Sequence, residues 1–181
     1  MKVAKFILCP VLALMACQAV AAQTFSAGTF HSFKGIGVSF LNSVTDPREF
    51  NTYTLFADLS DTFSGKEGSA GVKFNFSHNI IIHEFAPADG QEQLSLFIGA
   101  GGSGGYVNDY GREGYGLMAA LSGSFGLRAS FPEKHLSVNF GITVEAGPYL
   151  QTGAEGTRFS FYRNGIYQTP YPHVTLSYDF R

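Results

Sequence analysis

The sequence is short of charge. Lysine, arginine, aspartate and glutamate make up 14% of its 181 residues, against about 25% in ordinary soluble domains. So few charges leave too little polar surface for a chain of this size to face water on all sides. Long hydrophobic runs are missing too. Past the N-terminal segment no apolar stretch approaches the roughly 20 residues of a membrane-spanning helix, which excludes helical spans. Cysteine occurs only at Cys9 and Cys17. Both precede residue 23, so the rest of the chain has no disulfide framework, no thiolate metal site and no cysteine nucleophile. A basic excess is also lacking. Setting aside Lys2 and Lys5 leaves ten basic against fourteen acidic residues, a formal charge of −4. That excludes the electrostatic footprint of a nucleic-acid partner.

What the chain does have is 18 Phe, 9 Tyr and 22 Gly. Its first residues, MKVAKFILCPVLALMACQAVAAQ, have the layout of a secretory signal peptide. Lys2 and Lys5 supply the positive start, Phe6 to Ala16 the apolar run, and Ala19 to Ala22 the small residues before cleavage. The expected division is a signal peptide over 1–22 and one domain over 23–181. A rival reading takes Leu14-Met15-Ala16-Cys17 as a lipobox, with lipidation at Cys17.

Few charges, many aromatics and no helical span leave one structure that crosses a membrane, the closed β-barrel. Its strands alternate apolar outward and small or polar inward with period two. HLSVNFGITVEAG does this cleanly. Leu136, Val138, Phe140, Ile142, Val144 and Ala146 share one face, and His135, Ser137, Asn139, Gly141, Thr143, Glu145 and Gly147 the other. Weaker versions run through Ile36–Phe40, Tyr53–Leu59, Val72–Ile82, Leu94–Gly101, Tyr115–Arg128, Phe159–Phe161 and Val174–Phe180. Breakers such as Asp46-Pro47, Ser64-Gly65, Pro132-Glu133 and Gly147-Pro148 through Gly156 separate them. The fold class expected is all-β, a closed antiparallel transmembrane β-barrel of about eight strands. Segments 42–51 and 85–91 are expected as exposed loop tips. Phe50, Tyr53, Tyr106, Tyr110, Tyr115, Phe131, Tyr149, Tyr162, Tyr167 and Tyr171 cluster near strand ends, as aromatic girdles would.

With its signal peptide, its alternating segments and its ending HVTLSYDFR, the chain resembles the small outer-membrane β-barrel family of Gram-negative bacteria. Phe180 is penultimate here, with Arg181 after it, where the family commonly ends on the aromatic. The resemblance implies location in the cell outer membrane, contact with outer-membrane lipid, and handling by the outer-membrane assembly machinery. It implies little about activity.

A barrel of eight strands has an interior that side chains fill. By parity the lumen carries Asp58, Lys73, Arg128, Glu145 and Asp179, which must pair because unpaired buried charge is costly. A lumen plugged by this network predicts a non-enzymatic protein, without cofactor, acting structurally or by binding a surface ligand through its loops. A gated narrow pore is one alternative. The other is a lipid-modifying enzyme, since lipid A deacylase barrels in the same fold use Ser, His and Glu. His135 and Ser137 stand at i, i+2, but Glu145 is about 27 Å away along the strand. His78, His83 and Glu84 are near in sequence, yet on a straight strand the two histidines face opposite ways, so no metal is expected.

GAGGSGG, over 99–105, matches both the dinucleotide fingerprint and the serine nucleophile elbow. Each motif must open a helix. YVNDYGREGYG follows instead, which is turn-like and then strand-like. The stretch is therefore expected as strand, with Gly99, Gly101, Ser103 and Gly105 as small lumen residues that make room for Phe97, Met118 or Arg128.

Overall fold

The computed structural model describes residues 25–44, 46–59, 62, 70–85, 92–109, 115–153, 156–162 and 171–180. The expected cleavage after Ala22 and the alternative at Cys17 lie outside these residues. Among the described residues nine strands form: β1 (Phe25–Ser32), β2 (Gly35–Ser43), β3 (Glu49–Asp58), β4 (Gly71–Phe85), β5 (Gln93–Asn108), β6 (Tyr115–Phe131), β7 (Leu136–Gly153), β8 (Gly156–Tyr162) and β9 (Tyr171–Phe180). A 3₁₀ turn, Pro132–Lys134, joins β6 to β7.

Every pairing is antiparallel. Neighbours in sequence pair from β1 through β7, then β7 pairs with β9 and β9 with β1, which closes the sheet on itself. The ring has eight positions, because β8 and β9 share one. β8 pairs with the far half of β7, ending at Gly147 opposite Tyr162, and β9 resumes at Thr143 opposite Tyr171. Between these points β7 has three residues and the other chain segment has eight.

The stagger follows from one row of partners. Leu136 faces Tyr178, and the row continues through Ala27, Phe40, Tyr53, Phe76, Gly102 and Leu121 to Ala146, back on β7. One circuit thus climbs ten residues. With a rise of about 3.4 Å per residue and strands about 4.8 Å apart, the strands tilt by about 42° and the backbone radius is about 8 Å. Each residue then rises about 2.5 Å along the barrel axis and each strand step about 3 Å.

The even stagger keeps the two faces separate all the way round. Outward positions are apolar and exposed, among them Val38, Leu55, Val72, Ile98, Phe125, Phe140 and Leu176. Inward positions are mostly small, polar or charged and buried, with Phe30, Leu41, Phe50, Phe56, Phe97 and Met118 as large apolar exceptions.

Four expectations change. β1, with sequence FSAGTFHS, is not among the eight expected segments, because Phe30 fills the lumen against Phe56 while Thr29 and His31 face out, which leaves no apolar alternation to read. β7 runs through Gly147-Pro148 to Gly153, since Pro148 sits in register opposite Phe161. Tyr149 and Tyr162 are fully buried in the lumen and Phe50 faces it too, so they belong to no girdle. Tyr110 and Tyr167 lie outside the described residues. Of the expected loop tips, residues 42–43 end β2, 49–51 begin β3 and Phe85 ends β4, while 45 and 86–91 lie outside the described residues.

Candidate functional site

The inward faces make a polar column with three levels. At the upper level Lys34, Asp58, Lys73, Glu145, Tyr149 and Tyr162 are each at most 2% exposed. Lys73 and Glu145 form an ion pair through Nζ and Oε2. Lys73 also lies over the rings of Phe56 and Tyr162, at 5.7 and 5.6 Å. Lys34 Nζ donates to the Asn108 carbonyl at 3.2 Å and to Tyr162 Oη at 3.3 Å. Asp58 Oδ2 accepts from the Asn108 amide at 3.0 Å, and Tyr149 Oη donates to the Val107 carbonyl at 3.1 Å. Lys34 stands in the turn between β1 and β2, not in a strand. Burial lowers its ammonium to about 8, opposed by the nearby Asp58 carboxylate.

The middle level is hydroxyl and amide chemistry around a cavity of about 40 Å³. Asn79 is its hub. Its Oδ1 accepts from Ser77 at 3.0 Å and Ser124 at 3.1 Å, and its Nδ2 donates to Thr52 Oγ1 at 3.1 Å. His173 stacks on Phe30 at 5.2 Å.

The lower level holds Arg128 and Asp179. Asp179 Oδ1 accepts from Ser26 Oγ at 2.5 Å and from Ser137 Oγ at 3.4 Å. Arg128 Nε donates to Ser130 Oγ at 3.3 Å, and its guanidinium stacks 4.7 Å above the Phe50 ring.

The five charges expected in the lumen are therefore split. Asp58, Lys73 and Glu145 meet at the upper level. Arg128 lies about 19 Å and Asp179 about 22 Å below Lys73 and Glu145 along the axis. Sequence reasoning missed Lys34 and Asp109, which lie outside the strands where parity says nothing, and the plug tyrosines Tyr149 and Tyr162. Inward parity on β7 was the available signal for Tyr149.

GAGGSGG runs inside β5 and opens no helix. Gly99, Gly101, Ser103 and Gly105 face the lumen, but the room they leave goes elsewhere than to Phe97 or Arg128. A Cβ at Gly99 would overlap Asn79 Oδ1, Ser124 Oγ and Ser77 Oγ, and one at Gly101 or Gly105 would meet the neighbouring strand's backbone. Ser103 Oγ approaches Met118 Sδ at 3.9 Å.

His135 and Ser137 do not meet. His135 takes a left-handed turn conformation, φ 50°, and its ring packs on Tyr178 on the outer side. It is thus not the lumen residue that parity predicts. Ser137 is buried against Asp179. His78 and His83 also depart from expectation. A bulge at Ile82 shifts the register, so both face outward, His78 opposite Ala100 and His83 opposite Leu96. Among the described residues no group of three His, Cys, Asp or Glu is placed to hold a metal ion.

No protein-family model matches the chain. No curated protein matches it either. Among solved structures, a major outer membrane protein from Thermus thermophilus superposes with a TM-score of 0.47 at 13% identity, covering 87% of this chain and 99% of that one.

Proposed function

We propose that the chain is a non-enzymatic outer-membrane barrel with a side-chain-filled lumen, acting structurally or by binding at its ends. One observation carries the reading, the outer apolar band. On β6 the exposed face runs from Leu117 through Leu121 and Phe125 to Leu127, ten residue steps. That is about 34 Å along the strand and about 25 Å along the axis, the height of an outer-membrane apolar band. Below it, Phe25, Phe131, Tyr178 and Phe180 fall within about 7 Å of one level, as a girdle would. The ladder closes through the β1–β9 and β7–β9 pairings, so the ring of eight positions satisfies its backbone internally, as a membrane requires. The Lys73–Glu145 level supports a lumen that does not conduct.

Refolding into lipid vesicles tests this. The protein should migrate differently on a gel before and after boiling, and stay electrically silent in planar bilayers. A chain that remains soluble without detergent and shows no migration shift overturns the membrane reading. Steady conductance overturns the filled lumen, and release of acyl chains from lipid A overturns the non-enzymatic role.

A further inference from the structure

At the end of the barrel that holds both strand termini, the lumen opens into a vestibule of about 290 Å³. Leu41, Phe50 and Ile81 form its apolar wall, and Glu84, Ser95 and Arg128 its polar one. Arg128 is held from behind. Phe50 carries its guanidinium face, itself braced edge-on by Phe97 at 5.5 Å, and Ser130 takes Nε. Asp179 is the acid whose field acts on Arg128. That carboxylate is occupied by Ser26 and Ser137.

Glu84 reaches the same space through the bulge. Upstream, odd-numbered residues of β4 face the lumen, so an unbroken strand would turn Glu84 to the outer surface. The extra residue at Ile82 inverts that parity, and Glu84 pairs with Ser95 on the lumen side. Bulges commonly re-aim a side chain in this way beside functional sites. Ser95 in turn pairs with Arg128. The acid and the base thus stand in one row, two strand spacings or about 10 Å apart. Among the described residues neither takes part in an ion pair. Glu49, the other acid lining the mouth, directs its carboxylate toward His78, 3.9 Å away on the outer face.

We propose that this vestibule binds a small zwitterion of the amino-acid class, its carboxylate on Arg128, its ammonium toward Glu84 and its side chain on Leu41, Phe50 and Ile81. An Arg fork matches a carboxylate bidentately. A second negative charge on the ligand would be repelled by Glu84. At about 30 Å³ per water, the vestibule equals about ten waters, which sets a ligand of roughly ten heavy atoms. The proposal needs the barrel but not its location.

Calorimetric titration of the refolded barrel with L-leucine, leucinamide and 4-methylpentanoate tests it. Leucine should bind saturably. Leucinamide, without the carboxylate, and 4-methylpentanoate, without the ammonium, should each bind at least tenfold more weakly. Arg128→Gln should weaken leucine at least tenfold, and Arg128→Lys should restore part of that loss. Glu84→Gln should bring leucine and 4-methylpentanoate to within about threefold of each other. Each variant is scored only on protein that keeps its gel-migration shift, which separates a failed site from a failed fold. No saturable leucine binding, equal affinity for leucine and leucinamide, or leucine affinity untouched by Arg128→Gln overturns the assignment.

Discussion

The Lys73–Glu145 pair offers the sharpest quantitative test of how this lumen is held together. Both residues are essentially without solvent, at 1% and 0% exposure. Breaking a buried pair from one side leaves a charge where it cannot be hydrated, at about 3–5 kcal/mol. Two features set the value at the low end. After Lys73→Met, Glu145 keeps the attraction of Lys34 across the lumen. After Glu145→Gln, Lys73 keeps the faces of Phe56 and Tyr162, which contribute up to about 2 kcal/mol when desolvated. Each single change should therefore cost about 3 kcal/mol. The double change Lys73→Met with Glu145→Met removes both desolvation costs together. It should cost at least about 2 kcal/mol less than the two single costs added. Urea titration in vesicles reads this, with folded protein counted by unboiled gel migration. At a slope of about 1–3 kcal/mol per molar, each single variant shifts its midpoint by about 1–3 M. Single costs below about 1 kcal/mol, or costs that add within about 0.5 kcal/mol, would refute the pair as the anchor of the upper lumen.

Lys34 makes a pH prediction. Its folded value of about 8 lies below the unfolded 10.5, so between these values the unfolded chain binds more protons and stability rises with pH. The gain is at most about 3 kcal/mol by pH 10.5, and Lys34→Met should abolish it in urea titrations at pH 7 and 10. Gly99→Val drives a side chain into Asn79, Ser77 and Ser124 and should cost about 2–3 kcal/mol. Gly104→Ala, on the outer face with its nearest atom at 3.5 Å, should change stability by under about 1 kcal/mol, and equal costs for the two glycines would count against the lumen packing. Ala100→Arg, about 14 Å above the lower girdle, should cost about 2–4 kcal/mol in bilayers, and Leu94→Arg, level with the girdle, about 0–1. Equal costs would refute the depth scale.

Period two made the outer surface legible. Wherever a strand is straight and its outward residues are apolar, as on β6 and the lower half of β7, parity alone assigns each side chain to lipid or lumen. It fails where a large side chain is needed inside. Phe30 fills the lumen between Phe56 and His173, which leaves β1 without an apolar face to read. It fails again at the Ile82 bulge, because an inserted residue inverts everything after it and no local composition marks the insertion. Tyrosine is ambiguous for a different reason. Its amphipathic ring suits an interface and a plug equally, so Tyr106 and Tyr149 look alike until their partners are known. Lys34 belongs to a turn, where no periodicity exists. The plug was therefore half visible. Its strand-borne charges follow from parity, while the groups that tune them do not.

The seam between β1 and β9 has a consequence for how the chain can be rearranged. Phe25 faces Phe180 across it, so the two ends of the described barrel lie about 5 Å apart. Ser26 and Asp179, 153 positions apart in sequence, share a hydrogen bond there. In three dimensions the ring has no first strand; the numbering merely starts at this joint. A short linker across the seam, with new ends opened in the 3₁₀ turn at Pro132–Lys134, yields a circular permutant that keeps every ladder. Such a permutant turns the most distant pairing in the chain into a hairpin. It would reveal by its folding rate how much of the barrel's assembly time is spent bringing the two ends together.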